Sequence, residues 1–215
     1  MPTHKIIILG VAILVPILAV FFVLMYIRKS NRTLTDTQED ISDKELLEYI
    51  NSQPDKIVDT KMLMRDFDLS KYESTIRLRH FYTNGILTIL RSGSGLKSYY
   101  TLSRPIDKSY DLNLTDDPFM TKEDLLMIFK HYDYQVSMQE ICLCTGLPLK
   151  IILEEMKYFE KEGVVNRLLK SNKDGFSHQR LFTLCEPYRS NPDAYMDLRD
   201  ANIELKEIYR NLRNA

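Results

Sequence analysis

The sequence predicts a mainly α-helical fold with small β-hairpins (α+β). An N-terminal transmembrane helix precedes two copies of one structural unit and a C-terminal helix. Three observations predict this architecture. Residues 6–27 carry no charged side chain. A pattern of helix, short turn, helix, glycine and hairpin occurs twice, at a constant shift of 78 residues. Leucines spaced seven apart then mark a last helix.

The repeat is visible in residues that stand 78 positions apart, such as Phe81 with Phe159 and Gly85 with Gly163. A shift that stays constant over about fifty residues marks an internal repeat. Each glycine follows a helical pattern and can adopt the left-handed conformation that ends a helix. Two β-prone runs around a cluster of small polar residues then predict a hairpin.

A capping box opens each copy with a further helix, at Ser42 with Glu45 and at Thr121 with Asp124. Each copy should therefore hold three helices and a hairpin, enough for a small core. The predicted organisation is a transmembrane anchor at 1–29, a polar tether at 30–40, unit 1 at 41–106, a linker at 107–118, unit 2 at 119–187 and a C-terminal helix at 193–213.

Two helices joined by a short turn form a helix-turn-helix unit. With the hairpin as a wing, each copy resembles the winged-helix family, over roughly two thirds of the chain. The resemblance implies a third helix that can enter the major groove of DNA, with the wing on the flanking backbone. Winged helices also bind proteins in tandem adaptors of the chromosome-segregation and membrane-remodelling machineries, and these resemble the layout of this chain.

The uncharged run at 6–27 spans 22 residues, long enough for a hydrocarbon core of about 30 Å. A cleaved signal peptide is the alternative, but its apolar core would be shorter and followed by small residues. Here the apolar run continues directly into Arg28 and Lys29. With Arg32, these outnumber the positive charges before the run and predict a single-pass protein with cytoplasmic C-terminal units.

The composition is that of an ordinary globular protein, with 27% charged residues and a net charge of −1. Three cysteines favour a reducing compartment over a disulfide framework. No phosphate-binding loop or hydrolase motif is present in the sequence. Cys142 and Cys144 point about 200° apart on a helix, which favours structural cysteines over a chelating pair. We expect no enzyme activity, no metal and no cofactor.

Duplex DNA is the first candidate ligand, through unit 1. Counting back from Gly85, Leu78 and Phe81 should face the core, as should Met156 and Phe159 in unit 2. Between positions 70 and 106, six basic residues stand against one acidic residue, which favours phosphate contact. The expected outer face of the third helix carries Glu73, Ile76, Arg77 and His80, with Arg79 at its edge. The candidate DNA-binding residues are Lys71, Arg77, Arg79, His80, Arg91 and Lys97.

Unit 2 is a weaker DNA candidate, because its third helix should expose Ile151, Glu154, Glu155 and Tyr158. Two carboxylates on that face would repel phosphates. The chain would then be a membrane-tethered DNA-binding regulator of transcription that uses unit 1.

A protein-binding adaptor or scaffold is the alternative, and Ile76, Ile151 and Tyr158 are its candidate contacts. The C-terminal helix either packs on the repeats or pairs with a second copy, in a homodimer. The contact residues for that pairing would be Leu198, Leu205, Ile208 and Leu212.

Overall fold

The computed structural model describes residues 3–93, 97–115, 119–171, 178–197 and 199, with side chains in the first helix from Leu14 onward except Glu39. The protein is α+β and about half helical, with two small antiparallel three-stranded sheets. The first part of the chain forms α1 (Thr3–Asp40), α2 (Asp43–Ser52), β1 (Ile57–Val58), α3 (Thr60–Asp66), α4 (Lys71–Thr83), β2 (Leu87–Arg91) and β3 (Ser98–Leu102). The second part forms α5 (Lys122–His131), β4 (Gln135–Ser137), α6 (Met138–Thr145), α7 (Leu149–Lys161), β5 (Val165–Ser171), β6 (His178–Leu184) and a 3-10 turn (Pro192–Ala194).

The two units have the same order of elements: helix, short strand, two helices and a hairpin. In each sheet the short first strand pairs with the last strand, giving the orders β1-β3-β2 and β4-β6-β5. Val58 pairs with Tyr100, and its repeat equivalent Val136 pairs with Phe182. The sequence analysis predicted the hairpins and missed β1 and β4, because two or three residues are too few for an alternating pattern.

Gly85 and Gly163 end α4 and α7 as predicted. Both have a φ of +74°, the left-handed conformation in which glycine meets no steric penalty. The amide of Ile86 donates to the Phe81 carbonyl at 3.0 Å, and the amide of Gly85 donates to Tyr82 at 2.9 Å. This pair of bonds is the Schellman motif, and the same two bonds close α7.

The segment 30–40, predicted to be a tether, is instead helical and continues α1 to Asp40. Its inner face is mostly polar and includes the buried Thr37, whose hydroxyl donates to the Thr33 carbonyl at 2.9 Å. These residues pack on unit 1 without the apolar spacing that signals an amphipathic helix in sequence. α1 is long and apolar enough, by length and composition, to cross a bilayer.

The two units share one continuous core. Leu47 and Ile50 of α2 belong to the same buried cluster as Ile141 and Cys142 of α6. The core prediction is confirmed, since Leu78, Phe81, Met156 and Phe159 are all buried. α6 is buried nearly all round, so both Cys142 and Cys144 point into protein.

The hairpin of unit 2 packs against the end of α4, where Arg180 Nη1 donates to Asn84 Oδ1 at 2.7 Å. The chain between the units is also attached. Tyr110 OH donates to Glu48 Oε1 of α2 at 2.9 Å, and Lys108 Nζ donates to Asp133 Oδ2 at 2.7 Å.

The end of the chain is described only in part. The predicted C-terminal helix does not begin at Asp193, because Pro192–Ala194 is a 3-10 turn and Tyr195 is extended. The heptad positions Leu198, Leu205, Ile208 and Leu212 lie outside the described residues.

Candidate functional site

The face of α4 that was predicted to be solvent-exposed is largely covered. Arg77 is 1% exposed and Ile76 is also buried, so the prediction that they lie on an exposed outer face is wrong. The C-terminal half of α1 lies against this face, and α2 and unit 2 close the other side. The residue pattern of α4 alone could not show this, because the covering groups belong to α1, α2 and unit 2.

Asp43, at the start of α2, is the partner of Arg77. Arg77 Nη2 lies 3.0 Å from Asp43 Oδ1, as an ion pair without the alignment of a hydrogen bond. Asp43 Oδ2 accepts from Gln38 Nε2 of α1 at 2.7 Å and from the Leu149 amide of α7 at 2.8 Å. Pro148 offers no side-chain cap, so Asp43 caps α7 from the other unit.

This buried junction contains further polar groups. Ser74 Oγ, His80 Nε2 and Arg77 Nη1 have no hydrogen-bond partner within the part of the chain that the structure describes. Burial lowers the pKa of Arg77, and the Asp43 carboxylate opposes that shift. Burial also lowers the pKa of His80 below its ordinary value, again against the pull of Asp43. Arg77 and His80 therefore lie in the buried junction between the units and are not free to contact a ligand.

The exposed cations of unit 1 are the remaining candidates for phosphate contact. Lys71 and Arg79 are exposed on α4, while Arg91 and Lys97 are exposed on the β2–β3 hairpin. Arg79 lines a groove of about 300 Å³ between α1 and α4. The six predicted DNA-binding residues are thus divided between two buried or half-buried groups and four exposed ones.

The corresponding face of α7 in unit 2 is covered by the C-terminal segment. Glu155, predicted to be exposed, is 6% exposed, and its Oε2 accepts from Arg199 Nη1 at 2.9 Å. Burial raises the pKa of Glu155, and Arg199 opposes the shift. The Arg199 guanidinium also lies 3.9 Å from the ring centroid of Tyr158. Tyr158 OH donates to Asp197 Oδ1 at 3.1 Å.

Two of the three predicted protein contacts are only partly accessible, and Ile76 is buried. Ile151 and Tyr158 are half-buried and pack against the core cluster. Sequence reasoning missed the apolar side chains that are exposed on the hairpins. Leu168 and Leu169 of β5 are 46% and 65% exposed, and Leu90 stands at the position equivalent to Leu168 in unit 1. Side chains alternate along a strand, so two adjacent leucines cannot both face one core. The Leu168-Leu169 pair could therefore have predicted an exposed leucine from the sequence.

Among the strands that the structure describes, β5 lies at an edge of its sheet. The amide of Cys185 donates to the Val164 carbonyl, and the register from Val165↔Leu184 to Ser171↔His178 is unbroken. Even-numbered residues of β5 therefore bond to β6, and the backbone N–H and C=O groups of odd-numbered residues such as Arg167 and Leu169 point to the free edge.

Among the residues that the structure describes, no group of three His, Cys, Asp or Glu side chains is arranged to hold a metal ion. The three cysteines are free, and burial raises the pKa of Cys142 well above its ordinary value. Comparison with protein-family models and with curated proteins gives no significant match for the sequence.

Proposed function

We propose that this chain is a single-pass membrane protein whose two units are winged helices that act as a protein-binding adaptor on the cytoplasmic side. The observation that carries the proposal is the outer edge of β5, which presents apolar side chains and backbone groups that pair with no other strand among the described residues. The third helices, through which winged helices enter DNA, are each covered by other segments of the same chain.

The anchor is supported by the apolar part of α1, where every side chain from Leu14 to Ile27 is exposed. A soluble protein rarely leaves so large a contiguous apolar surface uncovered. Arg28, Lys29 and Arg32 follow the apolar run and favour a cytoplasmic location for the units.

The assignment to winged helices is supported by the order of the elements in both units. A helix-turn-helix pair precedes a hairpin, and a short strand after the first helix joins the hairpin in a three-stranded sheet. The glycine that separates the third helix from the hairpin has the same conformation in both units.

The buried charges argue against insertion of α4 or α7 into a major groove. An α-helix must present its outer side chains to the base edges. Arg77 and Glu155 stand at the centre of those faces and are committed to ion pairs inside the protein. Freeing Arg77 would leave Asp43 buried without its counterion, which is strongly unfavourable.

The edge of β5 suits an added strand from a partner. Strand addition uses backbone hydrogen bonds for affinity and the alternating side chains for specificity. Leu168 and Leu169 supply apolar contact, and the neighbouring Arg167 and Lys170 are exposed cations. The partner segment that fits is therefore extended, with apolar and acidic side chains.

Duplex DNA is the second candidate, favoured by the exposed Lys71, Arg79, Arg91 and Lys97. These cations could contact the phosphate backbone without insertion of α4, and such binding would be strongly salt-dependent.

The experiment that tests the proposal is site-specific photo-crosslinking of the full chain in its native membrane. One probe replaces Leu169 on β5, one replaces Lys97 on the unit 1 hairpin, and one replaces the exposed Asp55 as a control. We expect one discrete adduct from position 169. Protease treatment should remove the adduct and nuclease treatment should leave it intact, as expected for a protein partner. Arg167→Glu together with Lys170→Glu should abolish that adduct, because the partner is acidic.

The other outcomes contradict the proposal. Equal crosslinking at positions 169 and 55 would show that β5 has no specific partner. A nuclease-sensitive adduct from position 97, with none from position 169, would establish DNA binding in place of the adaptor function.

A further inference from the structure

The groove between α1 and α4 lies where the apolar run of α1 ends. Tyr26 and Ile27 line one end of it, and they are the last two residues of the uncharged run. Leu34 lines the groove farther along α1, about 12 Å away at about 1.5 Å per residue. The headgroup region of a bilayer is roughly 5–8 Å thick on each side. If 6–27 cross the membrane, as proposed above, the groove begins at the depth of the lipid headgroups.

The lining of the groove combines apolar and polar side chains. At the membrane end, Tyr26 and Ile27 are apolar or amphipathic, as is usual at a bilayer interface. The rest of the lining is mixed and includes Asn31 and Leu34 of α1 and Thr75 and Arg79 of α4. A lining with both apolar and polar groups suits an amphipathic molecule, such as a lipid with its polar head near Arg79.

The charge around the groove is positive. Arg28, Lys29 and Arg32 are exposed on α1, and Lys71 and Arg79 are exposed on α4. No acidic residue occurs between positions 26 and 34. The single acidic residue of α4 is Glu73, whose carboxylate accepts from the Ser70 amide at 2.7 Å in a capping box. The negative charge of Glu73 is therefore engaged in capping the first turn of α4.

The two helices that form the groove are held together, so the cations keep their places. Lys29 Nζ lies 5.5 Å from the ring centroid of Tyr72, an attractive arrangement of a cation over an aromatic face. The buried Ile76 of α4 also lines the groove beside the α1 residues. α1 thus continues from the bilayer into unit 1 as one helix and sets the height of α4 above the membrane.

We propose that this groove binds the headgroup of an anionic phospholipid, with Arg79 contacting the phosphate. The exposed cations of α1 and α4 would lie along the surrounding anionic surface, where clusters of basic residues next to a membrane helix bind acidic lipids. The proposal rests on the proposed membrane anchor and is independent of what β5 binds. It assigns to lipid the part of the basic surface that the sequence suggested for DNA.

The test uses the full chain in nanodiscs that contain phosphatidylcholine and phosphatidylglycerol in a ratio of about four to one. Native mass spectrometry of the released protein counts the lipids that remain bound. We expect phosphatidylglycerol to be enriched several-fold over its share of the disc in the wild-type protein. Arg79→Gln should remove most of the enrichment, as should Thr75→Glu, which places a carboxylate beside the groove.

Arg91→Gln is the matched control, because Arg91 is an exposed arginine on the hairpin and not in the groove. It should leave the enrichment unchanged, and all three variants should unfold at the wild-type temperature. A wild-type protein that enters the discs without enrichment would overturn the lipid site alone, as would equal losses in Arg79→Gln and Arg91→Gln. A chain that does not enter the discs would overturn both the anchor and the lipid site. The crosslink from position 169 should persist in Arg79→Gln, which separates this proposal from the adaptor function.

Discussion

Arg77 and Glu155 stand 78 residues apart, at equivalent positions on the third helices of the two units, and both are buried in ion pairs of opposite polarity. The partner of Arg77 comes from the chain before it, and the partner of Glu155 comes from the chain after it. Each third helix is therefore tied to a segment distant in sequence, α4 to the start of α2 and α7 to the chain after the unit 2 hairpin. The pairing explains why neither face is open to a ligand.

Removing one member of the Arg77–Asp43 pair should be far more destabilising than removing an exposed charge. Arg77→Met leaves the Asp43 carboxylate buried without a counterion, at a cost of about 3–5 kcal/mol in the free energy of unfolding. Arg79→Met removes an exposed charge and should change it by less than about 0.5 kcal/mol. Thermal unfolding of the full chain in detergent micelles compares the two.

The double variant Arg77→Met with Asp43→Asn separates charge from packing. The asparagine side chain would be neutral and would keep an oxygen that can accept from the Leu149 amide, so much of the lost stability should return. Equal melting temperatures for Arg77→Met and Arg79→Met would contradict the buried ion pair.

Gly85 and Gly163 form a natural matched pair, because both have a φ of +74° but differ in their surroundings. Alanine at position 163 meets no atom within 4 Å and should cost only the left-handed backbone strain, about 1–2 kcal/mol. A Cβ at position 85 would overlap the His178 carbonyl oxygen and the Gln179 Cα in unit 2. Gly85→Ala should therefore destabilise the protein more, by forcing the units apart.

The comparison of melting temperatures for Gly85→Ala and Gly163→Ala tests the contact between the units. Similar losses in the two variants would show that the unit 2 hairpin does not pack on α4 in solution.

The end of each third helix could be predicted from sequence because it depends on neighbouring residues. Gly85 and Gly163 follow a periodic pattern, and their hydrogen bonds reach back only to Phe81 and Phe159. Capping at Ser42 and Thr121 is equally local, since each side chain bonds three residues ahead. These predictions were correct for the same reason in both units.

The burial of Arg77 could not be predicted in the same way. Arg77 meets Asp43, whose other oxygen bonds the Leu149 amide 106 residues farther along the chain. The helical continuation of α1 escaped prediction because Thr37, a polar residue, occupies the buried face. A charged or polar residue in a periodic pattern is usually exposed, and only the packing of distant segments reverses that expectation.

Acidification should destabilise the joint through His80. Burial holds its pKa in the folded protein below the value of about 6.5 in the unfolded chain. The unfolded state then binds more protons below about pH 6.5, so stability falls as the pH falls from there toward the folded-state pKa. We expect the melting temperature of the wild-type protein to drop between about pH 7.5 and about pH 5.5.

His80→Gln is the control for this prediction, since glutamine does not titrate. The melting temperature of this variant should change less over the same pH interval. Glu155 is present in both proteins, so its contribution to the pH dependence cancels in the comparison. An identical pH dependence in the two proteins would exclude His80 as the source.

The anchor predicts that the full chain resists extraction. Alkaline carbonate should leave it in the membrane pellet, because the apolar surface from Leu14 to Ile27 would lie in the bilayer. Protease added outside intact cells should not cleave the units that follow Arg28. Release by carbonate, or external cleavage within residues 41–187, would contradict the proposed topology.

The most direct test of the adaptor function removes one hydrogen-bond donor from the free edge of β5. Leu169→Pro deletes an amide that points away from β6, and proline is tolerated at such edge positions. A photo-crosslinking probe at the exposed Ser171, in the full chain in its native membrane, then measures strand addition. We predict that the protein adduct falls at least tenfold in Leu169→Pro and remains detectable in Leu169→Ala, which keeps the amide. An adduct of wild-type yield in Leu169→Pro would contradict the binding of a partner strand at this edge.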